Sequence, residues 1–391
     1  MIELLAPCHD FATLTAAIKS GANAVYFGLS TLNMRANAKS FKLNDLKKIT
    51  NYCHSQKILA YLALNSIVYE NELKKAENII KKAKEANIDA VIIQDLGLIP
   101  LLKKYEIKFH ISTQASISNS ESVNMYKELG ASRAILAREV SLKDLTNIVK
   151  NSKIDIEVFI HGAMCASISG RCFLSGAIYQ KSANRGECMQ PCRQEWSVKS
   201  KTGELIYDNS RFMNAKDLCT IQFLDKIIKS GVKSLKIEGR MKDANYVSTV
   251  TQVYREAIDN YDKKKINEWL NKLSSVYTRG FSAGFYLKKP GNKDIDYENE
   301  GSVSKTKKLP LGVVKNYYPK IKVAEILLNH SGIKVGDELT IQGKTTFIKQ
   351  TVKSMQINKK DVQKANKGQR VAIKIDQLCR KNDQVFFLSN I

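Results

Sequence analysis

Short runs of β-branched and aromatic apolar residues alternate with amphipathic, lysine-rich stretches over the first 260 residues of the chain. This alternation is typical of βα units, in which helices join buried parallel strands. The pattern predicts eight strands, at Glu3–Ala6, Ala24–Gly28, Leu59–Leu64, Ala90–Gln94, Lys108–Ser112, Arg133–Ala137, Ile156–Ile160 and Ser234–Ile237. It predicts helices near residues 11–20, 44–55, 70–86, 97–104, 119–129, 141–150, 216–230 and 243–260. Eight such units favour an α/β fold of the closed (β/α)₈ TIM-like barrel type, and an open doubly wound sheet is the alternative.

The pattern changes beyond this predicted barrel, which we assign to residues 1–286. A further helix is predicted near 264–276, and the polar stretch over 287–304 indicates a linker. Short strands then follow, at Leu311–Val314, Lys320–Leu327, Glu338–Ile341, Thr346–Thr351 and Gln369–Ile375. Glycine-containing turns separate several of them, so residues 305–391 are predicted to form a small C-terminal β-barrel domain.

The predicted seventh strand is followed by about fifty residues before its helix, far more than an ordinary βα loop contains. We assign a cysteine-rich insertion to residues 163–215, because four of the eight cysteines of the chain lie there. Their order is Cys165-x₆-Cys172-x₁₅-Cys188-x₃-Cys192. Four thiolates can hold an iron–sulfur cluster or zinc, but the two close Cys-x₂-Cys pairs of a usual zinc ribbon are absent. Spacing alone leaves an iron–sulfur cluster, zinc and unliganded thiols open.

The chain is strongly basic, and the charge is uneven. The net charge is +24, and from Lys305 onward 18 Lys/Arg stand against 6 Asp/Glu, a net of +12. Such a surface attracts polyanions, and nucleic-acid phosphate is the commonest partner. The alternative is a set of solvated lysines without a partner. No export signal and no apolar run of about 18 residues is visible, so we expect a cytoplasmic protein with reduced thiols and no membrane partner.

Polar residues follow the ends of several predicted strands, where a barrel builds its active site. The set predicts a cleft for a small, anionic, hydrogen-bonding ligand, and it includes Arg35, Asn65, Gln114, Arg138, His161, Glu238 and Arg240. The chain has no Gly-x-Ser-x-Gly elbow and no His-Glu-x-x-His zinc helix. A Cys165/His161 dyad is the conceivable peptidase arrangement, and it excludes Cys165 as a cluster ligand.

The stretch Glu157–Ser175 closely resembles the signature of the peptidase U32 family, also called collagenase-like. Further matching segments are Glu3–Pro7, Gly21–Gly28, Ser234–Lys242 and Arg279–Phe281. The resemblance implies a four-iron four-sulfur (4Fe–4S) cluster on cysteines of the insertion. It also implies hydroxylation of RNA or of ubiquinone precursors without molecular oxygen, rather than proteolysis. The tRNA branch of the family makes 5-hydroxyuridine at the wobble position, with prephenate as hydroxyl donor.

The resemblance also suggests roles for individual residues. Cys165, Cys172 and Cys188 lie in the signature region, Cys192 is our choice of fourth ligand, and Cys219 is the reserve. Prephenate carries two carboxylates, which guanidinium groups bind well. We therefore predict donor contacts from Arg35, Arg185 and Arg240, polar contacts from Asn65 and Gln114, and acid–base or orienting roles for His161 and Glu238.

The sequence thus predicts a tRNA uridine hydroxylase whose basic C-terminal domain holds the RNA. Two alternatives are kept. One is a U32-type peptidase with a free, reactive Cys165, and the other is a non-catalytic RNA-binding scaffold. The sequence does not predict an oligomeric state.

Overall fold

A closed parallel barrel forms the larger part of the chain. The computed structural model describes residues 2–35 and 40–390, so Met1 and Ile391, the outer ends of the predicted units, lie outside the described residues. Each barrel strand pairs with the next one along the chain, and the last pairs with both the seventh and the first. The barrel strands are β1 (Glu3–Pro7), β2 (Ala24–Gly28), β3 (Leu59–Leu64), β4 (Ala90–Ile93), β5 (Phe109–Ile111), β6 (Arg133–Ile135), β7 (Asp155–Gly162) and β11 (Ser234–Ile237). Between the last two lie β8 (Trp196–Lys199), β9 (Leu205–Ser210) and β10 (Asp217–Cys219). The predicted closed barrel is confirmed.

Helices follow the barrel strands as the apolar pattern predicts. They are α1 (Phe11–Lys19), α2 (Leu46–Ser55), α3 (Leu73–Glu85), α4 (Ile99–Lys104), α5 (Ser120–Glu128), α6 (Leu142–Asn151), α8 (Leu224–Lys229) and α9 (Ala244–Asp259). The insertion adds α7 (Leu174–Tyr179), and α10 (Ile266–Ser274) follows the barrel. Several helices begin at a side chain that accepts a hydrogen bond from a free backbone N–H, as Asp10 Oδ1 does from Thr13 N at 2.8 Å.

The predicted helix over 216–230 is wrong in its first half. Residues 217–219 form β10, in which Leu218 pairs with Gly162 and Cys219 with His161 at the end of β7. The helix α8 begins only at Leu224. Pairing with β7 satisfies backbone groups that would otherwise be buried without partners, so this tertiary contact overrides the local helical pattern.

Charged side chains fill part of the barrel interior. Glu157 is fully buried and lies 2.9 Å from Lys236 Nζ and 3.1 Å from Arg133 Nη1. Arg133 also pairs with Glu3, whose Oε2 accepts a hydrogen bond from the Tyr61 hydroxyl at 2.7 Å. Buried charges are tolerated only when they are paired in this way. The network lies below the carboxyl ends of the strands. Lys236 connects it to the barrel mouth, because Lys236 also lines the mouth cavity.

The segment predicted as a linker is packed against the insertion. Asp296 N donates to the Asn214 carbonyl at 2.9 Å, and Asn214 Nδ2 donates back to the Asp296 carbonyl at 3.0 Å. The short strand β12 (Phe281–Ser282), just before this segment, pairs with β10. The stretch therefore supports the base of the insertion.

The C-terminal unit has its own apolar core. Its strands are β13 (Thr306–Tyr318), β14 (Val323–Leu327), β15 (Ile333–Lys334), β16 (Glu338–Gln342), β17 (Phe347–Thr351), β18 (Met355–Ile357), β19 (Lys360–Asp361), β20 (Lys364–Ala365), β21 (Arg370–Lys374) and β22 (Gln384–Asn390). Eight of them form an antiparallel sheet, which confirms a C-terminal β-domain. Pairing between the two end strands β17 and β19, which a closed barrel would need, is not found among the described residues. The pattern also misses β22, although it lies between β13 and β16.

The two units are in contact. Phe347 of β17 packs into the apolar cluster of the barrel, and Thr306 Oγ1 donates to the Ser275 carbonyl at 2.6 Å. Lys308 Nζ lies 3.6 Å from Asp243 Oδ2 at the start of α9. Over residues 2–35 and 40–390, the structure contains no helix with the length and apolar character needed to span a membrane.

Candidate active site at the barrel mouth

Polar side chains from five strand ends meet at the mouth of the barrel. Asn65, after β3, donates through Nδ2 to Gln114 Oε1 at 2.9 Å and to Ser112 Oγ at 3.1 Å. Arg35, after β2, lies 3.5 Å from Glu238, which follows β11. These residues line a cavity of about 40 Å³ whose floor includes Lys236. The predicted polar cleft therefore exists, and Asn65, Gln114, Arg35 and Glu238 lie in it.

Cations outnumber acids around this cavity. Its lining includes Arg35, Arg138, Lys236 and Arg240, with Glu238 as the acidic residue. Burial alone would raise the pKa of Glu238, but Arg35, Arg138 and Arg240 outweigh it and hold that pKa below its usual range. The buried Nε groups of Arg35 and Arg138 have no hydrogen-bond partner among the described residues. Unpaired buried donors beside excess positive charge are what an anionic ligand would satisfy.

The insertion lies directly over the mouth. Gly170 adopts a φ of +75°, and a Cβ at this position would lie 3.1 Å from the side chain of Gln114. Arg138 Nη1 donates to the Ala163 carbonyl at 2.5 Å. The start of the insertion is thus held at the mouth by two contacts. One is the packing of Gly170 against Gln114, and the other is the hydrogen bond from Arg138 to Ala163.

The four cysteines of the insertion come together beside the mouth. Cys165, Cys188 and Cys192 line a cavity of about 130 Å³, which shares Arg35 and Glu238 with the mouth cavity. Burial raises the pKa of the Cys192 thiol, and Cys165, Cys188 and Cys172 are near enough to raise it further. Cys165 and Cys188 are exposed, and Cys172 and Cys192 are half-buried. The predicted set of four ligands is therefore one spatial group.

Cations surround these thiols. Arg193, Lys242 and Arg279 line the cysteine cavity. Arg193 is held by Asn214 Oδ1 at 2.9 Å, and Arg279 lies 3.5 Å from Asp217. Burial lowers the pKa of Lys242 to about 8. Arg279 and Arg193 lower this pKa further, and Asp217 and Glu238 raise it. A buried group of cations of this kind favours an anionic occupant.

The donor set fits a cluster better than a single ion. Among residues 2–35 and 40–390, no three His, Cys, Asp or Glu side chains are placed to share one metal ion. In a four-iron cluster each thiolate binds a different iron, so its ligands stand further apart than those of one ion. Such a cluster with four thiolates is an anion, and the surrounding cations match that charge.

Sequence comparison matches residues 9–296 to peptidase family U32, a stretch that includes most of the barrel and the whole insertion. The chain belongs to the peptidase U32 family. An uncharacterized protease of Methanocaldococcus jannaschii is 43% identical to this U32 protein over 99% of this chain and 98% of its own. A collagenase of Porphyromonas gingivalis is 36% identical over 98% of this chain and 97% of its own. A tRNA hydroxylation protein P1 of Bacillus subtilis is 33% identical over 87% of this chain and 83% of its own.

One predicted site residue of the U32 protein, His161, lies away from both cavities. His161 is packed among the rings of Tyr246, Tyr254 and Phe281, and its Nδ1 lies 3.3 Å from the Tyr254 hydroxyl. Burial and the nearby Lys242 lower its pKa to about 3, so the imidazole is neutral. It lines neither the mouth cavity nor the cysteine cavity, which corrects its predicted acid–base role.

Arg185 and Cys219 are also engaged away from the site. Arg185 forms a two-fold contact with Glu72, at 2.6 and 2.9 Å, and lies over the Tyr69 ring. It therefore links the insertion to the loop before α3, and it does not line the mouth cavity. Cys219 is buried beside the Tyr254 hydroxyl at 3.8 Å, and burial raises its pKa to about 11. The reserve ligand is not part of the cysteine group.

Sequence reasoning misses three residues of the cysteine cavity, Arg193, Lys242 and Arg279. The sequence could have indicated two of them, because Lys242 and Arg279 lie in segments that resemble the family. Arg193 directly follows Cys192, where a cation beside a ligand is also a usable hint. Their convergence depends on β10 and β12, short strands that the apolar pattern does not predict.

Proposed function

We propose that this U32 protein hydroxylates RNA, and that its finer activity is the oxygen-independent 5-hydroxylation of the tRNA wobble uridine with prephenate as hydroxyl donor. The observation that carries the proposal is the joining of two cavities, a cationic one at the mouth and one lined by Cys165, Cys188 and Cys192, through Arg35 and Glu238. The similarity to a tRNA hydroxylation protein of Bacillus subtilis supports the same reaction class.

We expect one carboxylate of the donor to enter the mouth cavity, whose volume of about 40 Å³ suits a carboxylate group. A carboxylate there would accept hydrogen bonds from the free Nε groups of Arg35 and Arg138. Arg240 lines the same cavity, where its Nη1 donates to Asn33 Oδ1 at 3.3 Å, and it supplies a further positive charge. Prephenate has two carboxylates, so two separate guanidinium groups suit it better than one. Asn65 would orient Gln114 through its 2.9 Å hydrogen bond to Gln114 Oε1, and Gln114 Nε2 would offer a neutral hydrogen-bond donor.

Cys165, Cys172, Cys188 and Cys192 would hold a 4Fe–4S cluster. When bound, such a cluster supplies single-electron or Lewis-acid chemistry next to the donor. The positive charges of Arg193, Lys242 and Arg279 would balance the negative charge of the cluster. The arginines around Glu238 keep this carboxyl ionised where the two cavities meet.

The overall exchange balances without molecular oxygen. The C–H bond at position 5 of the base is replaced by C–OH, and the C–OH bond of the donor is replaced by C–H. The base loses two electrons and the donor gains them. A small donor and a base must therefore meet at one place, which the shared wall of the two cavities provides.

We expect the C-terminal domain to bind the RNA backbone. This domain carries a net charge of +12 from Lys305 onward. Phosphate contacts on a basic surface supply most of the sequence-independent affinity for RNA.

The peptidase alternative finds less support in the geometry. The relative from Porphyromonas gingivalis is named a collagenase, and a thiol peptidase would need a base next to Cys165. His161, the predicted base, is 2% exposed and contacts Tyr254 instead. No hydrogen bond between Cys165 and His161 occurs in the described part of the chain.

The test is anaerobic purification followed by iron, sulfide and zinc analysis and by incubation with unmodified tRNA and prephenate. Mass spectrometry of the nucleosides should show a uridine that gains the mass of one oxygen atom. Cys192→Ala should lose iron and product together, while Cys53→Ala, a buried thiol away from the site, should lose neither.

Three outcomes would overturn the proposal. They are unchanged nucleosides with a fully loaded cluster, product formation by protein that contains zinc but no iron, and cleavage of gelatin by iron-free protein that requires Cys165. The last result would establish the peptidase. RNA binding without any modification by the loaded protein would establish the scaffold.

A further inference from the structure

Exposed apolar side chains are concentrated on the cysteine insertion. Of the eighteen large apolar side chains that are exposed among the described residues, seven lie within residues 163–215, a small part of the chain. Phe173 has the highest exposure of all eighteen, at 77%. A cluster of this kind on a surface marks a contact site, because single exposed apolar residues are otherwise scattered.

Four of the eighteen side chains lie around the cysteine group, three from the insertion and one from the segment after β11. We call these four residues the apolar rim: Ile168, Phe173, Met189 and Met241. Phe173 directly follows Cys172, and Met189 directly follows Cys188. Met189 N donates to Ser175 Oγ at 3.0 Å, which brings it to the first turn of α7, beside Phe173.

The other two members of the rim reach the same place from different segments. Met241, which follows β11, lines the cysteine cavity itself and is 55% exposed. Ile168 begins the turn that ends at Arg171, and Gly170 in that turn lies against Gln114 at the mouth. The apolar rim therefore borders both the mouth and the cysteines.

We propose that the apolar rim is the platform on which an unstacked base of the RNA substrate lies, with Phe173 as its stacking surface. This inference rests on the proposed function. An enzyme that acts on a base takes it out of its stack and holds it against aromatic or apolar side chains. Base stacking on an aromatic ring is tolerant of sequence and adds substantially to affinity for single-stranded RNA.

Charge favours RNA over an apolar protein partner at this position. Arg171, two residues before Phe173, is exposed, whereas Arg35, Arg193 and Lys242 line the cavity inside the rim. A base that lies on the rim brings its phosphates next to Arg171. The two exposed thiols, Cys165 and Cys188, would be covered in the same step.

The experiment compares two RNA probes on the anaerobically purified holoprotein. One is a labelled RNA stem-loop with a single-stranded loop, and the other is an RNA duplex of the same length. Phe173→Leu keeps an apolar side chain but removes the ring, and Phe173→Tyr keeps the ring. We expect Phe173→Leu to weaken stem-loop binding at least about fivefold and to leave duplex binding unchanged. Phe173→Tyr should bind both probes as the unaltered protein does.

A control away from the rim is Met125→Ala, which changes an exposed apolar residue on α5 with 59% exposure. It should change neither affinity. Because Phe173 adjoins a cysteine, iron content is measured on every variant. Met241→Gln, which is distant in sequence from the cysteines, repeats the test at a second point of the rim. Bound stem-loop should also slow the loss of visible absorbance in air, and Phe173→Leu should abolish that protection.

The outcomes separate this inference from the proposed function. If Phe173→Leu and Met241→Gln retain iron and full preference for the stem-loop, the inference is overturned while hydroxylation can still stand. If the unaltered protein is a dimer that Phe173→Leu dissociates, the rim is a protein interface and the inference is again overturned. If the unaltered holoprotein binds neither RNA probe, the proposed function itself fails.

Discussion

Replacing Glu157 by Gln is the perturbation for which the structure gives the clearest magnitude. Glu157 is fully buried inside the barrel, between Lys236 at 2.9 Å and Arg133 at 3.1 Å. Burial alone would raise its pKa, but the two cations lower it from 4.5 to about 2. A shift of this size corresponds to a stabilisation on the order of 3 kcal/mol in the charged state.

The Gln variant loses this stabilisation and leaves two buried cations with less compensation. We therefore expect the free energy of unfolding to fall by about 3–5 kcal/mol at neutral pH. The sign with pH follows from the lowered pKa. The contribution of Glu157 is fully present above its unfolded pKa of about 4.5 and is lost as pH falls through about 2. The difference between the unaltered protein and the variant should therefore shrink below about pH 4.

The assay is urea unfolding followed by tryptophan fluorescence, since Trp269 is fully buried in the barrel core. Glu77→Gln is the matched control, because Glu77 pairs with Lys104 at the surface of the barrel at 2.7 Å. Its urea midpoint should not move, as an accessible ion pair is screened by solvent. A midpoint for Glu157→Gln equal to that of Glu77→Gln would refute the assignment of a stabilising buried network. So would a stability difference that stays constant from pH 7 to about pH 2.5.

The remaining predictions concern the mouth and the cysteines. Arg138→Met should raise the KM for an anionic donor about 10- to 100-fold with a smaller effect on kcat, measured by initial rates, because a charge-assisted hydrogen bond is lost. Equal KM values would remove Arg138 from the donor site. Cys219→Ala should keep the iron content that Cys192→Ala loses, measured by metal analysis, since Cys219 is buried beside Tyr254. Lys242→Met should lower the midpoint potential of the cluster in a redox titration, because it removes a nearby positive charge; a raised potential would contradict this.

The barrel was predictable because its information is local. Alternating apolar runs and amphipathic stretches mark each βα unit, and residues such as Asp10 and Asp243 mark helix starts by their capping chemistry. The error at 216–230 has a physical cause. Residues 217–219 pair with the end of β7, and a contact between segments so far apart in the chain has no signature in the local pattern.

The site was predictable to a different degree for each residue. Cys165 and its three partner cysteines stand out by chemistry and spacing, and the structure groups them, although their cluster stays a prediction. Arg185 and His161 show the limit of this reasoning. Their side-chain types suit the chemistry, but Arg185 forms an ion pair with Glu72, and His161 packs in an aromatic pocket beside the Tyr254 hydroxyl. No feature of the sequence states which partner a side chain will find.

The sequence by itself determined the number and order of the βα units, the position of the cysteine insertion, the basic C-terminal domain and the family. These follow from residue type, spacing and short-range propensity. Only the tertiary structure decided closure of the barrel through β11, the seating of Gly170 on Gln114, and the meeting of Arg193, Lys242 and Arg279 around the thiols. Each of these depends on packing between distant segments, where burial and pairing of charges outweigh any local preference.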